Sequence, residues 1–330
     1  MIHPTQTRKN RILFFPLICV CHFLGRHAPE LLLKVRYFFV FRRRLNLKNP
    51  TDLNEKIIWA KLYSDTSAWT DLADKYKVRE YVRSKGLEDI LVKLYGAWDA
   101  SGKFDFDSLP ETFILKANNG DGKGTNMVVR NKSRITQDER RRVVSTIGQW
   151  LRRKNIGLLH AEPQYKGIHP MVIAEEVLPA PEGESSLRDY KIWCFKGKAY
   201  YIWTCAERSA SGSSAHVLTY DREWNPHPEF SVFNSDYPED TVRMPRPKNL
   251  EKMLKIAERL SEGFPEVRVD LYNTEPEKTD GKIYFGELTF TSHGGFMDYF
   301  QPAFLEKAGS LFSISDFPQR YSTLWSKGTV

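Results

Sequence analysis

Apolar and polar residues alternate in Val267-Arg268-Val269-Asp270-Leu271-Tyr272, a period of two that predicts a strand with Arg268, Asp270 and Tyr272 on one face. A second run, Ile283 to Phe290, predicts a strand with Glu287 and Thr289 on a common face, and a loop holding Pro276, Asp280 and Gly281 joins the two. The pattern leaves their register open. A slip of one residue would send Asp270 and Glu287 to opposite faces.

Upstream the apolar spacing is helical. Asp52 and Glu55 predict a capping box for a helix with Leu53, Ile57, Ile58 and Leu62 on its apolar face. Trp69, Leu72, Ala73 and Tyr76 predict a second helix ending at Gly86, with Lys75 beside its stripe. Thr136 and Glu139 open a third, through Val143, Val144, Ile147 and Leu151, and Asn249 a fourth, through Leu250, Met253, Leu254, Ala257 and Leu260 to Gly263. Between them lie short apolar runs at Ile90 to Tyr95, Phe113 to Lys116 and Met171 to Leu178. Arg188 to Phe195 and Ala199 to Cys205 predict a hairpin about Lys196-Gly197-Lys198, with Asp189 and Lys191 sharing a face. The Pro/Gly-rich Pro179 to Glu184 reads as a hinge and Ser209 to Ser214 as a loop.

Charge changes the picture at one end only. The chain has 330 residues and a net charge of +8, of which residues 1–50 contribute +9 and the remainder −1. The main body is therefore no nucleic-acid binder by charge. The basic segment is also apolar over Ile12 to Leu24 and Leu31 to Phe41, and both runs are too short or too charged to cross a bilayer. Residues 1–45 fit either a membrane-surface anchor or a pair of packed helices with a cationic face. Four cysteines without a C-x-x-C spacing exclude a zinc or disulfide framework and fit a reducing cytoplasm, with peripheral contact at the inner face of the plasma membrane.

Three stretches carry candidate chemistry. Asp270 and Glu287 suit a magnesium–nucleotide, because hard cations take a few carboxylates and complete their shell with water and phosphate, with Arg268 neutralising phosphoryl charge. An exposed hairpin with solvated charges is the alternative. Phe113 to Val129 reads strand, glycine-rich loop, strand: either a phosphate cradle with Lys116 as a point charge, or a plain hairpin tip. Asp105-Phe106-Asp107 supplies a D-x-D of the kind a glycosyltransferase uses, in a turn-like stretch.

Taken together, N-P-x-x-x-N-E-K, A-D-K-Y-x-V-R, F-I-L-K-A-N-N-G, I-A-E-E, D-Y-K-x-x-C-F, G-F-P-x-V-R-V-D-L-Y and I-Y-F-G-E-L-T-F resemble the TupA-like ATP-grasp family of bacterial surface-polysaccharide loci over roughly residues 46–300. The resemblance implies an α+β fold in which two lobes clasp a nucleotide, preceded by a helical N-terminal segment. It divides the chain into the basic segment 1–45, a helical and short-strand cap 46–110, a first lobe 111–178, a second lobe 179–310 and a tail 311–330. It implies that Lys75, Lys116 and the loop with Asn119, Gly120, Gly122 and Gly124 contact the phosphates of ATP. Glu175, Glu176 and Leu178 would meet adenine or ribose, and Asp189 and Lys191 would line the same site. Asp270, Glu287 and Thr289 would hold Mg²⁺, although the superfamily usually has asparagine where Thr289 stands. Arg268 and Lys191 would serve the chemistry, in which a uronic-acid carboxylate is activated as an acylphosphate and joined to an amino acid or other amine. The implied partners are a glycan or lipid-linked sugar and an amine donor. A glycosyltransferase, a glycan kinase and a non-catalytic assembly factor of the same fold are the competing readings.

Overall fold

The computed structural model describes residues 8–120, 124–153, 156–182, 184, 186–207 and 214–319. Two antiparallel sheets and eight α-helices make an α+β architecture among these residues. The first sheet orders β1 (Leu94–Trp98), β4 (Val172–Glu175), β2 (Phe113–Ala117) and β3 (Asn126–Val129). In β2 the alternation turns Phe113, Leu115 and Ala117 onto α6 (Gln137–Leu151), against Val143, Ile147 and Trp150. Lys116 therefore faces the other way, on the side that carries Glu175. The capping box of Thr136 and Glu139 forms as the sequence predicts.

The second sheet orders β7 (His216–Asp221), β6 (Lys198–Ala206), β5 (Asp189–Phe195), β8 (Glu266–Asn273) and β9 (Ile283–Thr289). Leu250, Met253, Leu254, Ala257 and Leu260 of α7 (Leu250–Ser261) are buried in one core with Val267, Val269 and Leu271 of β8. That covers one face. The opposite face of β8 carries Arg268 and Asp270, and β5 pairs Lys191 with Asp270.

A bulge sets the register of the last hairpin. Tyr272 pairs with Tyr284 and Leu271 with Phe285, but Asp270 pairs with Glu287, so Gly286 is the extra residue. A β-carbon on Gly286 would lie 2.9 Å from the Asp270 carbonyl oxygen, a contact only glycine avoids.

The helices differ from their sequence patterns at two points. The second helix is broken into α4 (Trp69–Ala73) and α5 (Val78–Ser84). Between them the Asp74 carboxylate accepts the Tyr76 and Lys77 amides and the Asn118 side-chain amide, and the Lys75 amide donates to the Asn118 carbonyl, so local side-chain bonds outcompete the helix. In α3 (Leu53–Tyr63) Asp52 caps the Glu55 amide, but Glu55 accepts the Thr51 and Asn46 amides and the box does not close on itself. This helix is buried nearly all round, its lysines included. Lys56 donates to the Gly309 and Phe312 carbonyls, and Lys61 to those of His160 and Gly294. Ahead of it run α1 (Arg8–His27) and α2 (Pro29–Phe41), and Pro302–Gly309 forms α8. Among the described residues no helix is long and apolar enough to cross a membrane.

Candidate functional site

Arg268 and Asp270 are buried, which removes the alternative of a hairpin with solvated charges. Arg268 grips Asp270 with two bonds, Nε to Oδ1 at 2.7 Å and Nη2 to Oδ2 at 2.8 Å. Its remaining donors reach Glu287 Oε1 at 3.3 Å, Thr289 Oγ1 at 3.1 Å and Ser292 Oγ at 3.3 Å. Lys191 also donates to Asp270 Oδ2 and lies 3.7 Å from Asp189. Lys75 donates to Glu287 Oε2 and to the Gly120 carbonyl, both at 3.2 Å. Three cations and three carboxylates thus share one face of the second sheet.

Their titration follows from that packing. Burial would lower Lys191 and Arg268, but Asp270 and its neighbouring carboxylates hold both above their ordinary values. Burial would raise Glu287, yet Lys75, Arg268 and Lys191 outweigh it and hold the carboxyl well below the usual carboxylate range. Glu287 remains reachable, with 39% of its side chain open to solvent. Because its folded value is depressed, its stabilising contribution is present above the ordinary value of 4.5 and is lost as pH falls through the folded value. The stability difference between the protein and Glu287→Gln, from urea midpoints at about pH 7 and about pH 3, should shrink towards acid. A difference that stays constant with pH would contradict this.

The donor set suits a hard cation. Asp270 and Glu287 offer carboxylate oxygens on paired residues and Thr289 adds a hydroxyl, leaving the other positions to water and phosphate. Thr289 itself donates to Glu287 Oε1 at 3.1 Å. Among the described residues no cluster of three or more His, Cys, Asp or Glu forms a closed metal cage.

A second ionic group lies on the first sheet. Lys116 donates to Glu175 Oε2 at 2.8 Å, and Arg79 to Glu175 Oε1 at 3.0 Å and to the Val92 carbonyl at 2.8 Å. Arg79 stands within the A-D-K-Y-x-V-R motif but has no role in the sequence reading. Its spacing of four from Lys75 was the available signal. Glu176 is exposed and Leu178 buried. Both follow Glu175 in the chain.

The glycine-rich loop begins with Asn118, which bridges Asp74, the His169 carbonyl and the Met171 amide. Asn119 is buried, and its side-chain oxygen has no partner among the described residues. A β-carbon at Gly120 would meet Thr125 Oγ1 at 2.5 Å, so the turn admits glycine alone. At the far end Trp150 donates to the Gly124 carbonyl at 2.8 Å. Asp121, Gly122 and Lys123 lie outside the described residues, as do Gly183 and residues 208–213.

Asp105 and Asp107 do not form a metal site. Asp105 accepts the Asp107 and Ser108 amides, Asp107 pairs with Arg140 at 2.9 Å, and Phe106 between them is buried in the first core. Lys61 of α3 is a buried cation apart from these groups. Burial pushes it down to about 7, while it holds the His160 and Gly294 carbonyls together.

A family model described as TupA-like ATPgrasp matches residues 55–313. No curated protein matches the chain. Among solved structures it is similar to D-alanine–D-alanine ligase from Bacillus anthracis, at 16% identity and a TM-score of 0.39 over 69% of this chain. It spans 60% of that enzyme's length. The Helicobacter pylori D-alanine–D-alanine ligase gives 13% identity and 0.38 over 79% of this chain and 67% of that one. D-cycloserine synthetase DcsG gives 11% and 0.40 over 74% of this chain and 70% of that one.

Proposed function

The chain belongs to the TupA-like ATP-grasp family, and from that premise we propose that it is an ATP-dependent carboxylate–amine ligase. Its acceptor is a uronic-acid carboxylate of a surface glycan, and its donor an amino acid or other amine. One observation carries the reading. Asp270 and Glu287, paired across adjacent strands, share their face with Arg268, Lys191 and Lys75. That is a site able to balance the changing charge of a phosphoryl group in transfer.

In this reading the acceptor carboxylate attacks the γ-phosphorus of ATP, forming an acylphosphate and releasing ADP. The amine then attacks the acyl carbon, an amide bond forms, and inorganic phosphate leaves. Asp270, Glu287 and Thr289 would hold magnesium, which when bound offsets phosphate charge. Lys75 leaves Glu287 and turns to phosphate, a short swing because the Gly120 carbonyl already holds it beside the loop. Lys116 and the Asn119–Gly124 loop cover the phosphates, and Glu175 to Leu178 meet the nucleoside. Arg268 stays on Asp270 and stabilises the oxyanion, and Lys191 faces the transferring group.

The test is thermal unfolding of the full chain with and without Mg-ATP, followed by product analysis with a hexuronic acid and an amino acid. A ligand at a hundredfold its dissociation constant adds about 2.7 kcal/mol. Stabilisation by Mg-ATP, with ADP and phosphate formed only when acid and amine are both present, is the expected result. Stabilisation by a UDP-sugar in place of ATP would replace this reading with a glycosyltransferase, and accumulation of a phosphosugar with a kinase.

A further inference from the structure

Helix α2 has two faces of opposite use. Its inner face packs Leu33 and Tyr37 with Leu45, Ile58 and Phe296, and Arg36 donates to the Leu159 carbonyl and meets His160 Nε2 at 2.8 Å. Its outer face carries Leu31, Val35, Phe38 and Phe39, four apolar side chains at the i, i+4, i+7, i+8 spacing of one helical stripe. They are solvent-exposed, Leu31 by 53% and Phe39 by 63%, and Val20 and Phe23 on α1 are exposed as well. Of the fourteen large apolar side chains exposed among the described residues, seven fall between Val20 and Val40, whereas the others stand apart along the chain. Such concentration marks a contact surface.

Charge identifies what the surface meets. Immediately after the stripe, Arg42, Arg44 and Lys48 are exposed and make no ion pair among the described residues, while Arg43 is taken by Asp52 and Glu55. A second copy of the chain, docked by the same patch, would bring these cations together. An anionic lipid surface would neutralise them.

We propose that the outer face of α2, with the end of α1, is a docking surface for an anionic lipid bilayer. The stripe sinks into the boundary of headgroup and acyl chain, and Arg42, Arg44 and Lys48 lie at the phosphates. Thirteen residues make α2 about 20 Å long, which suits a helix lying in the interface plane. The contact is independent of the chemistry proposed above.

Flotation of the full chain with vesicles tests it, comparing phosphatidylcholine alone with phosphatidylcholine containing about 30% phosphatidylglycerol. Binding to the anionic vesicles at about 0.15 M salt, released at about 1 M, is expected. Phe38→Ser/Phe39→Ser should weaken it by about tenfold or more, and Arg42→Glu/Arg44→Glu should remove its dependence on anionic lipid, with thermal unfolding unchanged in both. No flotation, or flotation indifferent to lipid charge and to both double variants, overturns the proposal. So does a dimer in sedimentation that Phe38→Ser/Phe39→Ser turns into a monomer, which would assign the face to a second copy.

Discussion

Asp270→Ala should lower the unfolding free energy by about 3–5 kcal/mol and reduce ligase turnover by about a thousandfold or more. The carboxylate takes two bonds from Arg268, which is buried, and one from Lys191, whose side chain is 13% exposed. Its removal leaves them uncompensated in a medium where a lone charge is costly. Glu287 at 3.3 Å from Arg268 and Asp189 at 3.7 Å from Lys191 soften the loss without replacing the bidentate grip. Stability and chemistry separate in a triple variant. Arg268→Met/Lys191→Met/Asp270→Leu removes both charges with their partner and should recover most of the stability while remaining inactive. Urea midpoints and ADP release measure the two effects. A loss below about 1 kcal/mol for Asp270→Ala would mean that the ion cluster is solvated.

Lys116→Ala and Arg79→Ala should divide binding from folding, although both side chains hold the same carboxylate. Lys116 is the more open of the two, and without it Glu175 keeps Arg79. Losing one charge-assisted contact to a phosphate should weaken ATP by about 10–100-fold, with less than about 1 kcal/mol lost in stability. Arg79 is buried and also satisfies the Val92 carbonyl, so its truncation should cost about 3 kcal/mol and leave nucleotide affinity within about threefold. Titration with ATP and urea unfolding report the two quantities. Equal effects on affinity would place both residues, or neither, at the nucleotide.

Elements with a clean period were legible in the sequence. The alternation of Val267 to Tyr272 gave β8 its two faces, and the spacing of Leu250 to Leu260 gave α7 its stripe, because each covers the other. Residues whose role depends on a distant partner were not. Lys56 and Lys61 sit in α3 as ordinary helical lysines, and only the carbonyls of residues 160, 294, 309 and 312 explain their burial. The break at Asp74 was hidden for the same reason, since Tyr76 continues the helical stripe while Asn118, forty-four residues on, supplies the competing bond. Within the candidate site, residue types could be read along the chain but pairings could not. Lys191 and Asp189 share a strand, whereas Lys75 meets Glu287 across 212 residues.

The bulge at Gly286 makes this dependence numerical. Simple alternation from Ile283 and Phe285 would turn Glu287 towards α7, into the company of Val267, Val269 and Leu271, and the extra residue turns it back. The two carboxylates meet because the hairpin holds an odd residue in one arm. Their meeting thus rests on parity as well as on chemistry: β9 can exchange one apolar side chain for another and keep the site, but it cannot change its count by one.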